Sequence, residues 1–279
     1  MARLYAESVA YSSPDGLGLV HSETSDGCLG NQGPPIDVGA HPPARKGGSS
    51  GNGSALFSGL GERIEIDPGA ARLKRMRCGT ITGARLIDEG LRAGGRRTFP
   101  VMATLTYAKL DTWRSRHITA FLQHCRDWFR VRDLPFHYCW VAELQKRGAV
   151  HFHVVIWMPR GYRLPKPDKR GWWPHGMTKI EGARNPVGYL AKYVSKSSLA
   201  VAFPKGLRLH GRGGLNAKQR IEARWWAMPS WVRKWTAAIC DVRRVEGGGV
   251  VCIETGEWRP SPWLVEFEAG HIFIRARAP

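Results

Sequence analysis

Apolar positions along this chain are scattered and aperiodic up to about residue 60 and become rhythmic only from about residue 98. The early stretch "LGNQGPPIDVGAHPPARKGGSSGNGSALFSG" is rich in Gly, Pro and Ser. Such a composition buries too little apolar surface to offset its ordering entropy, so residues 1–60 are expected to form a disordered leader. Residues 61–97 carry basic runs such as "RLKRMR" and read as an ambiguous basic lead-in. The strand-like "TFPVMATLTY" (Thr98–Tyr107) then opens the ordered core. Asp111 is a candidate helix cap. In "TWRSRHITAFLQHCRDWFR", Ile118, Phe121, Leu122, Cys125 and Phe129 share one helical face. Phe136–Gln145 and Val150–Met158 read as a second and a third strand.

A loop bearing Pro and Trp follows, "PRGYRLPKPDKRGWWPHG", and a helix is expected after Asn185-Pro186, with Asn as cap and Pro in the first turn. "LNAKQRIEARWWAM" reads as helical up to Pro229, followed by "SWVRKWTAAI", and two or three strands are expected from Gly249 onward. Four regions result: the leader 1–60, the lead-in 61–97, a core over 98–200, and a basic, Trp-rich C-terminal extension over 201–279 that packs on the core or binds DNA.

The first chemical signal is "AVHFHVVIW", because residues i and i+2 of a strand share a face. His151 and His153 therefore stand side by side, with Phe152, Val154 and Ile156 turned into a core. Lys146-Arg147-Gly148 suits a three-residue hairpin loop with Gly148 in the left-handed position. Pairing Gln145 with Ala149 then sets Glu143 opposite His151, while Trp140, Ala142 and Leu144 face the core. Two imidazoles and a carboxylate on one face suit a divalent cation such as Mg²⁺, Mn²⁺ or Zn²⁺ with positions left open for substrate. The competing reading is a plain Glu–His hydrogen bond on a polar sheet face, and a register slip of one residue would scatter the set.

The second signal is "NPVGYLAKYVSK". Val187, Leu190, Ala191 and Val194 form one helical stripe, and Tyr189, Lys192, Tyr193 and Lys196 the opposite one. An ordinary solvated amphipathic helix is one reading. The other makes a phenol the nucleophile on a phosphodiester, with Lys192 and Lys196 favouring the phenolate and offsetting transition-state charge.

Charge adds a substrate class. The net charge is +19, yet residues 1–66 hold four Lys/Arg against seven Asp/Glu. The rest of the chain holds 38 against 16, and so basic a body expects a polyanion, most simply nucleic acid. No apolar run approaches membrane-spanning length and no secretory signal pattern is present, so no membrane partner is expected. The six cysteines are scattered with no CxxC pair, which suggests reduced thiols in a cytosolic protein rather than a zinc ribbon or a redox dithiol.

HxH among apolar residues, followed by YxxxY with interleaved Lys, resembles the HUH family of single-strand endonucleases. The order Glu143, His151, His153 is similar to its rolling-circle initiator branch, and "TLTY" (Thr104–Tyr107) resembles the first motif of that branch. The segment from "WWPHG" through "YLAKYVSKS" is most similar to replication initiators of filamentous phages and related prophages or plasmids. The resemblance spans about Thr98–Ser198. It implies an α+β fold: a central antiparallel sheet flanked by helices, an RRM-like palm with the histidines on a central strand and the tyrosine helix across them. It further implies a metal-dependent nickase acting on single-stranded or supercoiled origin DNA with Mg²⁺ or Mn²⁺. Such an enzyme forms a 5′-phosphotyrosine, frees a 3′-OH for the host DNA polymerase, and later rejoins the strand. With no GxxxxGK[ST] motif in the chain, unwinding is expected from a host helicase, in the cytoplasm of a bacterial host. Metal ligation falls to Glu143, His151 and His153, nucleophilic attack to Tyr189 and Tyr193 (one or both), and DNA framing to Thr104, Thr106 and Tyr107. Trp172 and Trp173, set among basic residues, are candidates for stacking on unpaired bases, with core or sheet-edge packing as the alternative. His175 is expected to pack in its loop. A transposase or mobilisation relaxase of the same family is the nearest rival. A non-catalytic nucleic-acid-binding protein is the rival of another class. Oligomeric state is not legible.

Overall fold

A computed structural model describes residues 63–196, 203–246 and 248–277, with the side chain of Lys196 outside that set. The expected disordered leader, 1–60, also lies outside the described residues. The lead-in is more ordered than its composition suggested. A short strand, β1 (Ile64–Glu65), leads into a long helix, α1 (Pro68–Ala93). Asp67 caps this helix by accepting from the Gly69 and Ala70 N–H groups at 2.7 and 3.2 Å, and Pro68 pre-sets the first turn. Its buried stripe includes Leu73, Met76, Ala84, Ile87 and Leu91. The basic residues that obscured the stripe in sequence lie between those positions.

The core follows as β2 (Thr98–Thr106), α2 (Ser115–Arg130), β3 (Tyr138–Leu144), β4 (Val150–Pro159), β5 (Thr178–Gly182), α3 (Pro186–Lys196) and β6 (His210–Gly213). The five strands form one antiparallel sheet in the order β5-β2-β4-β3-β6, with helices on both faces. This is the α+β architecture expected, and it puts β4, which carries the histidines, at the centre. The β3–β4 hairpin closes as its residues dictate. Gln145 N–H donates to the Ala149 carbonyl at 2.9 Å, Gly148 N–H to the Gln145 carbonyl at 2.8 Å, and Gly148 has φ +85°.

Both sheet faces are covered, as the expected sheet flanked by helices requires. Behind the sheet, Phe152 packs edge-on to Trp140 and Trp173, and Trp173 in turn packs edge-on to Phe121 of α2. In front lie α1 and α3. Trp157 Nε1–H donates to Asp88 Oδ1 at 3.0 Å, and Arg77 Nε–H of α1 donates to the Val194 carbonyl of α3 at 3.3 Å. The approach of β6 to α1 is so close that a Cβ at Gly79 would stand 2.6 Å from the His210 ring. Asp111 does not cap α2: it sits in a turn at φ +56°, and Arg114 occupies the cap position without a side-chain bond. The predicted apolar face of α2 is the buried one.

The C-terminal extension holds α4 (Ala217–Trp226), α5 (Ser230–Thr236), and strands β7 (Val242–Arg244), β8 (Val250–Cys252), β9 (Trp258–Arg259), β10 (Trp263–Glu268) and β11 (His271–Ala276). Asn216 and Gln219 form a reciprocal capping box on α4. Arg85 of α1 pairs with Glu222 of α4 at 2.8 Å, so the extension packs on α1. Strands β7-β8-β9 form one small sheet and β1-β11-β10 another. Trp225, Met228, Val232, Cys240, Val242, Val250 and Cys252 make a second core, against which Trp226, Trp231 and Trp235 pack. No helix among the described residues is long and apolar enough to cross a membrane.

Candidate active site

The hairpin register places Glu143 directly opposite His151, and β2 places Thr104 opposite His153 and Thr106 opposite His151. One sheet face therefore gathers Thr104, Thr106, Glu143, His151 and His153. Both imidazoles are buried, at 7% and 4% exposure, because α1 and α3 cover them. His153 is held on both edges: Nε2 is 2.6 Å from Glu143 Oε2, and Nδ1 is 3.3 Å from Thr104 Oγ1. The carboxylate thus reaches diagonally past its register partner to the second histidine.

His151 differs from His153. Its Nε2 is buried and finds no hydrogen-bond partner among the described residues. Its pKa is pushed down to about 4, by burial first and then by the neighbouring His153. At neutral pH it is therefore an uncharged imidazole with an unused buried nitrogen, the form in which histidine ligates metals. Glu143, His151 and His153 are nonetheless not drawn together as a preformed cage. Among the described residues only Cys240, Cys252 and Glu254 bring three such donor atoms within 4.8 Å of one another. The Glu143–His153 hydrogen bond, the competing reading of this hairpin, is what the metal-free chain holds.

Helix α3 is capped as expected, with Gly188 N–H donating to Asn185 Oδ1 at 2.9 Å. Leu190 and Val194 are buried, and the opposite stripe crosses the histidine face. The Tyr193 ring stacks on the His153 ring, with centroids 3.6 Å apart and planes 15° from parallel. Tyr189, one turn earlier, is 37% exposed, and Lys192 is exposed. The expectation that lysines on α3 favour a Tyr193 phenolate is corrected for Lys192, which is not among the charges that act on Tyr193. Burial first, then the Glu143 and Glu181 carboxylates, raise its pKa. Among the described residues the cation that acts against this is Lys179 of β5, in register with Thr104. Sequence reasoning missed Lys179 because no element was assigned between the loop ending at Gly176 and the helix after Asn185. The Lys196 side chain lies outside the described residues.

The other DNA-contact candidates divide. Thr104 and Thr106 lie on the site face. Tyr107 and Trp173, each 1% exposed, belong to the core behind the sheet. Trp173 Nε1–H donates to the Thr106 carbonyl at 2.9 Å, and its ring packs against Tyr107, Phe121 and Phe152, so it presents no free face to a base. Trp172 is partly buried and stacks parallel to His124 at 6.2 Å. His175 stacks on His117 at 3.7 Å, within its loop cluster and away from the imidazole pair.

Residues 100–198, a little over a third of the chain, match a family model described as Replication-associated protein ORF2. That span runs from β2 through α3 and so contains every residue of the candidate site. No curated protein and no solved structure gives a match. The family match supports a role in replication initiation.

Proposed function

We propose that the chain is a rolling-circle replication initiator that nicks one DNA strand through Tyr193. The observation that carries this reading is the stack of Tyr193 on His153, which sets a phenol over the Glu143–His151–His153 face inside the segment that matches a replication-associated family. The donor set fits a divalent cation: two imidazoles, one with a nitrogen that has no partner, beside a carboxylate. Glu143, His151 and His153 would hold Mg²⁺ or Mn²⁺. When bound, that cation supplies Lewis acidity to the scissile phosphate and neutralises the Glu143 charge that otherwise disfavours the phenolate.

The chain's own residues do the rest. Tyr193 Oη attacks phosphorus and passes its proton to water, the O–P bond forms, the bond to the 3′-oxygen breaks, and the departing 3′-oxygen takes a proton from water. One DNA end is then joined to the enzyme as a 5′-phosphotyrosine and the other is a free 3′-OH. Attack by a 3′-OH reverses the exchange and reseals a strand without further energy input, which hydrolysis by water could not do. Lys179 opposes the local carboxylate charge, and Thr104 fixes the His153 ring through Nδ1. Tyr189, at the exposed edge of the same helical face, is placed to serve a second exchange. The basic surface supplies non-specific attraction to the DNA backbone.

The test is adduct formation on a labelled single-stranded or supercoiled origin DNA, with Mn²⁺ and with chelator. Tyr193→Phe is expected to abolish the covalent adduct and keep DNA binding, while Tyr189→Phe still forms it. An adduct persisting in Tyr193→Phe but lost in Tyr189→Phe would move the nucleophile one turn. Metal-independent binding with no cleavage by the unaltered chain would favour a non-catalytic DNA-binding protein. The sequence of the trapped DNA end separates a replication origin from a transposon end or a transfer origin.

A further inference from the structure

The C-terminal extension carries a second set of metal-ligating groups that the nicking reaction does not use. Cys240 follows α5, and Cys252 ends β8. The β7–β8 ladder pairs Val242 with Cys252 and continues past the strand ends, with Ile253 N–H donating to the Asp241 carbonyl at 2.9 Å. This continuation brings Cys240 alongside Cys252 and Glu254. The two sulfurs and a Glu254 carboxylate oxygen all lie within 4.8 Å of one another. A tetrahedral ion with sulfur at about 2.3 Å separates its ligand atoms by roughly 3.5–3.8 Å, so small side-chain rotations close the gap.

The turn "CIETG" begins at Cys252. Cys252 N–H donates to the Glu257 carbonyl at 2.9 Å, which holds the strand end in place. Gly256 N–H closes the turn on the Cys252 carbonyl at 2.8 Å, with Gly256 at φ +72°. Both sulfurs are buried, Cys240 at 8% exposure and Cys252 at 5%. Glu254 is exposed, and one of its carboxylate oxygens accepts from the Asp241 N–H at 3.4 Å. The nearby carboxylate of Asp241 is already engaged by Arg224 and Arg243, so it is not a competing ligand.

We propose that Cys240, Cys252 and Glu254 form a binding site for a thiophilic divalent cation of the Zn²⁺ class, separate from the Glu143–His151–His153 face. Two thiolates select Zn²⁺ over Mg²⁺ or Mn²⁺, which prefer oxygen donors. Each cysteine releases its proton to water as the ion binds. Three protein donors leave the fourth position to water. Both cysteines belong to the second core with Trp225, Val232, Val242 and Val250, so the ion pins the β7–β8 hairpin onto α4 and α5. The site does not depend on the nicking mechanism.

The test uses the full chain, purified reduced and without oxygen, stripped with chelator and titrated with Co²⁺ and then Zn²⁺. The readout is the thiolate-to-cobalt charge-transfer band, which a His₂Glu set cannot produce. The band is expected to saturate at one Co²⁺ per chain and to bleach on adding Zn²⁺. It is expected to survive His153→Ala and to vanish in Cys240→Ser and Cys252→Ser. Glu254→Gln, at an exposed position that leaves folding intact, should weaken Zn²⁺ binding at least about ten-fold, since even groups that only support a ligand are worth that much. Absence of the band in the unaltered chain overturns the proposal, as does a band persisting in the double cysteine variant. A mass two daltons low under the same anaerobic preparation overturns it in favour of a Cys240–Cys252 disulfide.

Discussion

The two faces of the central sheet carry nearly the same residue types and do opposite things with them. In front, Tyr193 stacks on His153 beside His151. Behind, the Tyr107 hydroxyl is 3.0 Å from His117 Nδ1, and His117 stacks on His175 at 3.7 Å. Each face thus holds a phenol and two imidazoles. The rear set is packing: Tyr107 is 1% exposed with Trp173 edge-on to it, His117 and His175 are half-buried, and no carboxylate is hydrogen-bonded to it among the described residues. The front set has a carboxylate 2.6 Å from one imidazole, a second imidazole nitrogen without a partner, and a tyrosine helix whose outer turn reaches solvent. Phenols and imidazoles together are common packing material. A carboxylate among them and an unspent buried nitrogen distinguish a site from a core.

The largest expected effect that breaks the comparison is at Trp173. If this ring is packing behind the sheet, Trp173→Ala removes a fully buried indole and costs about 3–5 kcal/mol of stability. Single-stranded DNA affinity, measured below the melting transition, should then stay within a few-fold. A variant of unchanged stability that lost DNA binding would return Trp173 to the base-stacking role its neighbours in sequence suggested.

That outcome bears on what was legible in the chain. The hairpin register was readable because its determinants are local: a three-residue link, one glycine in the left-handed position, and an HxH spacing that fixes a face. The Tyr helix was readable for the same reason, from Asn185-Pro186 and a clean apolar stripe. Helix α1 was hidden because Arg and Lys interrupt its stripe, although Asp67-Pro68 announced its start. Lys179 was hidden because β5 is a five-residue edge strand after a long loop, and edge strands lack the continuous apolar run that marks a central one. Tyr107 and Trp173 were misplaced because sequence shows that an aromatic lies near basic residues, but not which side of a sheet it faces. Cys240 and Cys252 looked unrelated because the run of three glycines between their strands, Gly247 to Gly249, marks a turn without fixing the register across it.

Thr104 offers a finer test on the front face. Its hydroxyl is 3.3 Å from His153 Nδ1 and holds the ring in place with Nε2 turned toward Glu143. Thr104→Val keeps the shape and deletes the hydrogen bond. The expected result is about a ten-fold loss in Mn²⁺ affinity. Adduct formation should fall at limiting Mn²⁺ and recover at saturation. If the rate fell equally at all Mn²⁺ concentrations, Thr104 would instead be contacting the DNA.

The smallest effect belongs to Tyr107, and it completes a crossed pattern with Tyr193. Tyr107→Phe removes one hydrogen bond to His117 and should cost about 0.5–1.5 kcal/mol, with adduct formation intact. Tyr193→Phe should do the reverse, abolishing the adduct while leaving the melting temperature nearly unchanged. The rear cluster also has a pH signature. Burial lowers the pKa of His117, with His175 as the next cause, and burial lowers that of His175. The folded chain therefore binds fewer protons than the unfolded chain just below the ordinary histidine range. The stability these rings contribute is present above about pH 6.5 and is lost as pH falls below it. Tyr107→Phe removes the hydroxyl that lies against His117 Nδ1, which lessens the burial of that ring and brings its pKa back toward the ordinary value, so the variant's melting temperature should fall less steeply with acid than that of the unaltered chain. Parallel acid profiles for the two would show that His117 keeps its burial without the phenol hydroxyl.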